Sequence, residues 1–219
     1  MSNRDVMHGD TCSVGREVGK NDDYALFVPG VGGCVADGVG GAPLGDAVAR
    51  LACHVAMRAL NSRYSAVEAV DAARDRVEEF IRAVDSPSSG ASLAVITVYD
   101  RSVEAAWLGD VAFFICFQSS DGTKILSTLD GFPTSHNLGS RVVEEPCHIE
   151  VPFSELDIVT ACTDGVWRRL CTSEIARMMT SGASVREIAA RLAMAGHLDD
   201  DSTALVVSMN QNRETVTHA

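Results

Sequence analysis

The chain has 219 residues, a formal net charge of −12, 46% hydrophobic residues and 22% charged residues. Such a length and balance suit one globular domain with a sizeable core, and they exclude wholesale disorder or a fibrous chain. The acid excess, with no basic run anywhere, opposes nucleic-acid binding, which depends on Lys and Arg neutralising phosphates.

The opening MSNRDVMHGDTCSVG has no apolar signal-like stretch, and no segment reaches the roughly 18 apolar residues of a membrane span. A soluble, intracellular protein with no membrane partner is expected, cytoplasmic by default with an organelle left open. Strands are predicted around Thr11 to Arg16, Tyr24 to Val28 and Gly33 to Ala36, the last ending at Asp37 and a glycine-rich turn. Apolar residues at helical spacing predict helices over Asp46 to Asn61 and Ala66 to Val84, the second opened by a capping box of Ser65 and Glu68.

The period then changes to that of strands: Ala91 to Tyr99, Val103 to Leu108, Val111 to Phe117 and Lys124 to Ser127, read as an antiparallel meander. A polar stretch from Asp130 to Pro146 precedes a strand at Asp157 to Thr163. Two helices follow, near Ser173 to Thr180 and Ser184 to Ala195, and a last strand from Thr203 to Met209. Helices segregated from antiparallel strands indicate an α+β fold of layers, two sheets flanked by two helical layers, and no Rossmann alternation. With no repeat or linker, residues 1–219 read as a single domain.

Several acids fall at strand ends or tight turns: Asp22-Asp23, Asp37, Asp164 and Asp199 to Asp201. Crowded carboxylates repel unless a cation lies among them, and hard divalent ions such as Mg²⁺ and Mn²⁺ need several oxygen donors from separate segments. Asp37 and Asp164 are each followed by glycine, where a missing side chain lets the backbone approach an ion or its waters. A pair of ions held there could activate water for an in-line phosphoryl displacement.

The motifs sharpen this reading. GKNDDYALF, CVADGVGG, GASLAVITV, WLGD, CTDGVW and DDDSTALVV stand in the order and spacing of the blocks of the metal-dependent protein phosphatase 2C family, which the chain resembles along almost its whole length. NDD and VADGVGG are most similar to the short eukaryotic organellar branch and its sporulation-regulator relatives. The resemblance implies a four-layer α/β/β/α sandwich and a protein serine/threonine phosphatase dependent on two Mn²⁺ or Mg²⁺ ions, acting on phosphoprotein substrates as a monomer. It implies metal ligation by Asp23, Asp37, the carbonyl of Gly38, Asp164 and Asp200, with Asp22 in the outer shell and Asp37 and Asp164 as the catalytic pair. Asp200 is chosen because Thr203 fixes the alignment, and Asp199 and Asp201 then read as exposed neighbours.

Asp110 matches a carboxylate of a third, weaker metal site, but the companion acid usual four residues after the DG aspartate is Arg168 here. The family's phosphate-binding arginine is Val18 in this chain. Strand alternation would put Arg16, Val18 and Lys20 on one face, and Arg16 is assigned to the substrate phosphate. The competing reading is a pseudophosphatase, a binding or regulatory module in which Val18 and Arg168 mark eroded catalysis. A third is a hydrolase of small phosphate esters.

Other features read as structural. His54 suits packing or the surface, and His136 and His197 lack any ligand spacing. Trp107 and Trp167 read as buried aromatics, and Met57, Met178, Met179 and Met194 as helical core. The seven cysteines, without a CxxC pair, read as reduced core residues. GVGGAPLG lacks the spacing of a nucleotide loop.

Overall fold

The computed structural model describes residues 7–99, 102–119, 122–129, 137–139, 144–152, 156–196 and 200–209. Within them the chain forms β1 (His8–Val14), β2 (Asp23–Val28), β3 (Gly32–Gly38), α1 (Gly45–Asn61), α2 (Ala66–Ala83), β4 (Ala91–Tyr99), β5 (Ser102–Leu108) and β6 (Ala112–Ser119). These are followed by β7 (Gly122–Ser127), β8 (Cys147–Pro152), β9 (Leu156–Cys162), α3 (Asp164–Trp167), α4 (Thr172–Met179), α5 (Val185–Gly196) and β10 (Ser202–Ser208). The strands make two antiparallel sheets, ordered β1-β10-β9-β6-β7 and β2-β3-β4-β5-β8.

Alternation along each strand sends successive side chains to opposite faces, so strands covered on both sides bury nearly every residue. In β4, Leu93 and Val95 pack under α1 and α2, while Ala94, Ile96 and Val98 face the other sheet. In β6, Phe113 and Ile115 point between the sheets, while Phe114 and Cys116 pack against α4 and α5. Three apolar layers therefore separate four structural ones, the α/β/β/α sandwich expected. The two long helices fall within a residue of their predicted bounds. Both capping boxes form: Ser65 Oγ accepts from Glu68 N at 3.2 Å and Ser184 Oγ from Glu187 N at 3.3 Å.

The structure corrects several expectations. β4 to β7 are not one meander: β4 and β5 belong to one sheet, β6 and β7 to the other. The chain crosses between the sheets at Gly109-Asp110, where Gly109 adopts φ +89°. β1 lies over His8–Val14 and stops before Arg16, because it pairs with β10. β8 is an edge strand paired with β5 where no strand is predicted, and its half-buried alternation is a weak signal. Between residues 130 and 155 only 137–139 and 144–152 are described, so His136 lies outside the described residues, as do His197 and Asp199.

Trp107 is buried and meets Phe113 edge-on, ring centroids 5.4 Å apart. Met57 and Met179 are core and Met178 partly so, but Met194 is exposed. His54 is exposed beside Tyr24. Cys34, Cys53, Cys116 and Cys162 are buried as expected; Cys12 and Cys147 are half-buried, and Cys171 is exposed. Among the described residues no helix is long and apolar enough to cross a membrane.

Phe113→Ala should lower the free energy of unfolding by about 3–5 kcal/mol, since it empties the layer between the sheets. Ser65→Ala, which removes a surface cap, should cost about 1 kcal/mol. Urea denaturation followed by circular dichroism orders the two; equal costs would mean that the inter-sheet layer is not the dominant core.

Candidate functional site

β2 and β3 run antiparallel with Asp23 directly opposite Asp37, and Asp37 in turn faces Ser92 on β4. Asp164 follows β9, the Asp200-Asp201 turn leads into β10, and Asp110 lies where the chain crosses from β5 to β6. All these acids thereby collect at one end of the sandwich. A cavity of about 540 Å³ there is lined by Arg16, Asp22, Asp37, Gly38, Asp110, Asp164, Asp200 and Asp201, with Ser92, Asn137 and the Val39-Gly40-Gly41 turn. Of the sequence-predicted site residues only Asp23 is not in that wall. It is 4% exposed and lies beneath, close enough to raise the pKa of Asp37 by charge.

Each acid has a distinct partner. Asp23 accepts a 2.9 Å hydrogen bond from the Thr163 hydroxyl on Oδ2, and its buried Oδ1 has no hydrogen-bond partner among the described residues. Thr163 Oγ1 also accepts from the backbone N–H of Thr203, so one hydroxyl ties Asp23 to the β9–β10 pair. Asp110 Oδ1 accepts from Ser92 Oγ at 2.7 Å. Asp164 Oδ2 is 2.6 Å from Arg168, and Asp200 Oδ1 is 3.3 Å from Arg16.

Asp201, read from sequence as an exposed neighbour, is 5% exposed. Its Oδ1 accepts from the backbone N–H of Arg16 at 2.8 Å and its Oδ2 from that of Asp22 at 2.7 Å. One carboxylate thus closes the loop that carries both residues. Sequence reasoning also missed Thr163 and Ser92, short polar residues inside apolar strand runs, a pattern that marks a buried hydrogen bond to something near the strand end.

Residues 16–20 are not an extended strand with one face. Glu17 and Lys20 bridge across a tight turn with Gly19 at φ +79°. Arg16 consequently faces the acid cavity, Lys20 lines a neighbouring one, and Val18 is fully exposed at the tip. The glycines of the two DG pairs also have a reason other than open space for an ion. A Cβ on Gly38 would collide with the carbonyls of Gly45 and Asp22, and one on Gly165 with the carbonyl of Asp201. Backbone meets backbone at both.

Burial and like charge raise the pKa values of the central acids. Desolvation first, then the charges of Asp23, Asp164 and Asp110, push Asp37 up to about 10. Desolvation, opposed by the Thr203 and Thr163 hydroxyls and reinforced by Asp201 and Asp164, raises Asp23 to about 7. Burial and then Asp110 raise Asp164, with Arg168 opposing. Burial and then Asp201 raise Asp22, with Lys20 and Arg16 opposing.

Among the described residues no three acidic, histidine or cysteine side chains already converge on a single point. The acids are turned toward arginines, hydroxyls and each other. The donor set nevertheless fits hard divalent cations: it is carboxylate oxygen from four separate segments, it carries more negative charge than it can hold ionised, and it contains a buried oxygen with no partner.

Residues 19–205 match the family model for protein phosphatase 2C. No curated protein matches the chain. Among solved structures, the catalytic domain of the serine/threonine phosphatase PstP of Mycobacterium tuberculosis, one crystal of which holds two manganese ions, superposes with a TM-score of 0.74 at 18% identity over 93% of this chain and 98% of that one. PppA, a regulatory component of the type VI secretion system of Pseudomonas aeruginosa, gives 0.73 at 21% identity over 92% and 97%. The serine/threonine phosphatase Stp1 of Staphylococcus aureus gives 0.73 at 14% identity over 93% and 94%.

A pH dependence follows for the protein in EDTA. Asp37 and Asp23 bind protons more tightly folded than unfolded, so the stability they contribute is complete below the ordinary carboxylate range and is lost as pH rises through about 7 and toward about 10. The thermal midpoint in EDTA should therefore fall between pH 6 and pH 9, and Asp37→Asn should flatten that fall and raise the midpoint at pH 8. A midpoint that rises with pH would contradict the sign.

Proposed function

The chain belongs to the protein phosphatase 2C family, and on that premise we propose that it is a metal-dependent protein serine/threonine phosphatase. The observation that carries this reading is the gathering of Asp22, Asp37, Asp110, Asp164 and Asp200 around one cavity, above the unpartnered oxygen of Asp23 and beside Arg16. In this proposal Asp23, Asp37, the Gly38 carbonyl, Asp164 and Asp200 hold two divalent cations, Mn²⁺ or Mg²⁺, with Asp22 outside them. Such a pair supplies Lewis acidity, making water nucleophilic at neutral pH and offsetting charge on the phosphoryl oxygens. The two manganese ions held by PstP support the same count.

The chain's own groups bind and orient the substrate. Arg16 lies on the cavity wall, and its pairing with the half-exposed Asp200 is of the kind worth ~0–1 kcal/mol. A phosphate dianion, which accepts two parallel N–H bonds from a guanidinium, can take Asp200's place. Asp201 grips the Arg16 and Asp22 amides, so it sets where both side chains start. In this reading a water in the cleft would give the departing serine or threonine oxygen its proton. The NDD and VADGVGG motifs support a position beside the short organellar and sporulation-regulator branches.

Hydrolysis of p-nitrophenyl phosphate and of a phosphothreonine peptide, each with Mn²⁺, with Mg²⁺ and with EDTA, tests the reading. Turnover should require a cation and fall by about 100-fold or more in Asp37→Asn, beyond the 10–100-fold typical of changes to groups that only support a metal ligand. Arg16→Ala should raise KM for the phosphopeptide about tenfold, and an unchanged KM would remove Arg16 from the substrate site. Preference for the peptide separates a protein phosphatase from a hydrolase of small esters. A folded protein inert with either cation would be a binding module instead.

A further inference from the structure

Asp110 and Asp164 approach the same cavity from neighbouring strand ends of one sheet, Asp110 from the turn that leads into β6 and Asp164 from just beyond β9, the strand β6 pairs with. Arg168 spans them. Its Nη1 is 2.6 Å from Asp164 Oδ2 and its Nη2 is 3.5 Å from Asp110 Oδ2. Two further contacts fix the guanidinium: it lies over the ring of Trp167, 5.3 Å from the centroid, and that indole donates through Nε1 to the carbonyl of Asp110 at 3.0 Å. The Arg168 amide also donates to the carbonyl of Asp164, one helical turn back, at 2.9 Å. Arg168 does not line the cavity itself, yet it holds one oxygen of Asp164, which does.

We propose that Arg168 is a positioning residue, a tethered cation that joins Asp110 to Asp164 beside the paired ends of β6 and β9 and so limits the acid cavity to two divalent ions. This rests on the metal-dependent reading above. Its physical basis is charge and geometry. A guanidinium is charged at every pH the protein meets, and its fork presents donors in fixed directions, which a hydrated ion does not. With Arg168 seated, Asp110 and Asp164 each have an oxygen committed to a fixed positive charge, and another cation entering between them would meet that charge at close range. The clamp also holds Asp164 in one orientation before any ion arrives. Joining two segments is a task for which hard ions are often used elsewhere; here a side chain one turn from the ligand performs it.

The test counts Mn²⁺ bound to the 219-residue protein by equilibrium dialysis with metal analysis, alongside electron paramagnetic resonance of the free ion. Arg168 is 58% exposed, so its substitution should not prevent folding, and circular dichroism checks this. The wild type should bind two ions. Arg168→Asp, which puts a third carboxylate between Asp110 and Asp164, should bind three, and Arg168→Lys, which keeps the charge, should stay at two. Three ions on the wild type, or two on Arg168→Asp with unchanged affinities, would overturn the clamp while leaving the two-ion phosphatase reading intact. A folded wild type that binds none would overturn both.

Discussion

Carboxylates that would repel in water are held within reach of one another because strand pairing leaves them no other position. Asp23 and Asp37 are register partners across β2 and β3, so separating them means breaking the sheet. Asp164 is fixed by β9, which is buried on both faces. Apolar burial on the scale of a whole sandwich works against the local repulsion of a few charges, and it prevails. The cost appears as the raised proton affinity of Asp37 and Asp23 and as arginines drawn onto Asp164 and Asp200. A divalent cation would relieve the same repulsion more fully, which is why this end of the molecule is chemically primed while the remainder is core.

The surrounding details follow from that crowding. Gly38 and Gly165 are small because carbonyls of neighbouring segments press against them, and those segments carry Asp22 and Asp201. Thr163 serves two partners with one hydroxyl because Asp23 is too deep for water to reach. Asp201 spends both of its oxygens on backbone amides, which makes it a structural group in a row of acids. Identical side chains at positions 200 and 201 thus have opposite tasks, one turned to the cavity and Arg16, the other inward to the chain.

Much of the architecture was legible in the sequence, since alternation and helical spacing are driven by the same burial that forms the layers. What escaped was decided between distant segments. β8 pairs along one edge only, so its pattern is faint. The division of β4 to β7 between two sheets depends on a crossing at Gly109-Asp110 that looks like any tight turn. The motif acids could be picked out because each adjoins an apolar run at a turn, and the structure brings all of them except Asp23 to the wall of one cavity. Asp201 could not be separated from Asp199 and Asp200 without knowing that two unpaired amides, of Arg16 and Asp22, lie opposite it. The helical core reading of Met194 failed for a simpler reason: it lies on the outer face of α5, where a methionine at helical spacing is tolerated without being buried.

The acids also differ in how firmly they are held, and that difference suits the proposed chemistry. Asp37 and Asp164 sit on or just after strands that are almost wholly buried, and Asp23 is the buried first residue of a half-buried strand paired to one of them. Arg16, Asp22 and Asp200 sit on turns, tied down chiefly through Asp201. Catalysis by electrostatic preorganisation needs its charge-bearing groups fixed before reaction, whereas substrate capture needs a group that can exchange partners. Arg16, paired weakly to a half-exposed acid, can make that exchange. Arg168, stacked on Trp167 and forked between two carboxylates, is placed to resist it. The two arginines bracket the same cluster of negative charge, and they differ in their partners: Arg16 meets the half-exposed Asp200, Arg168 the largely buried Asp164.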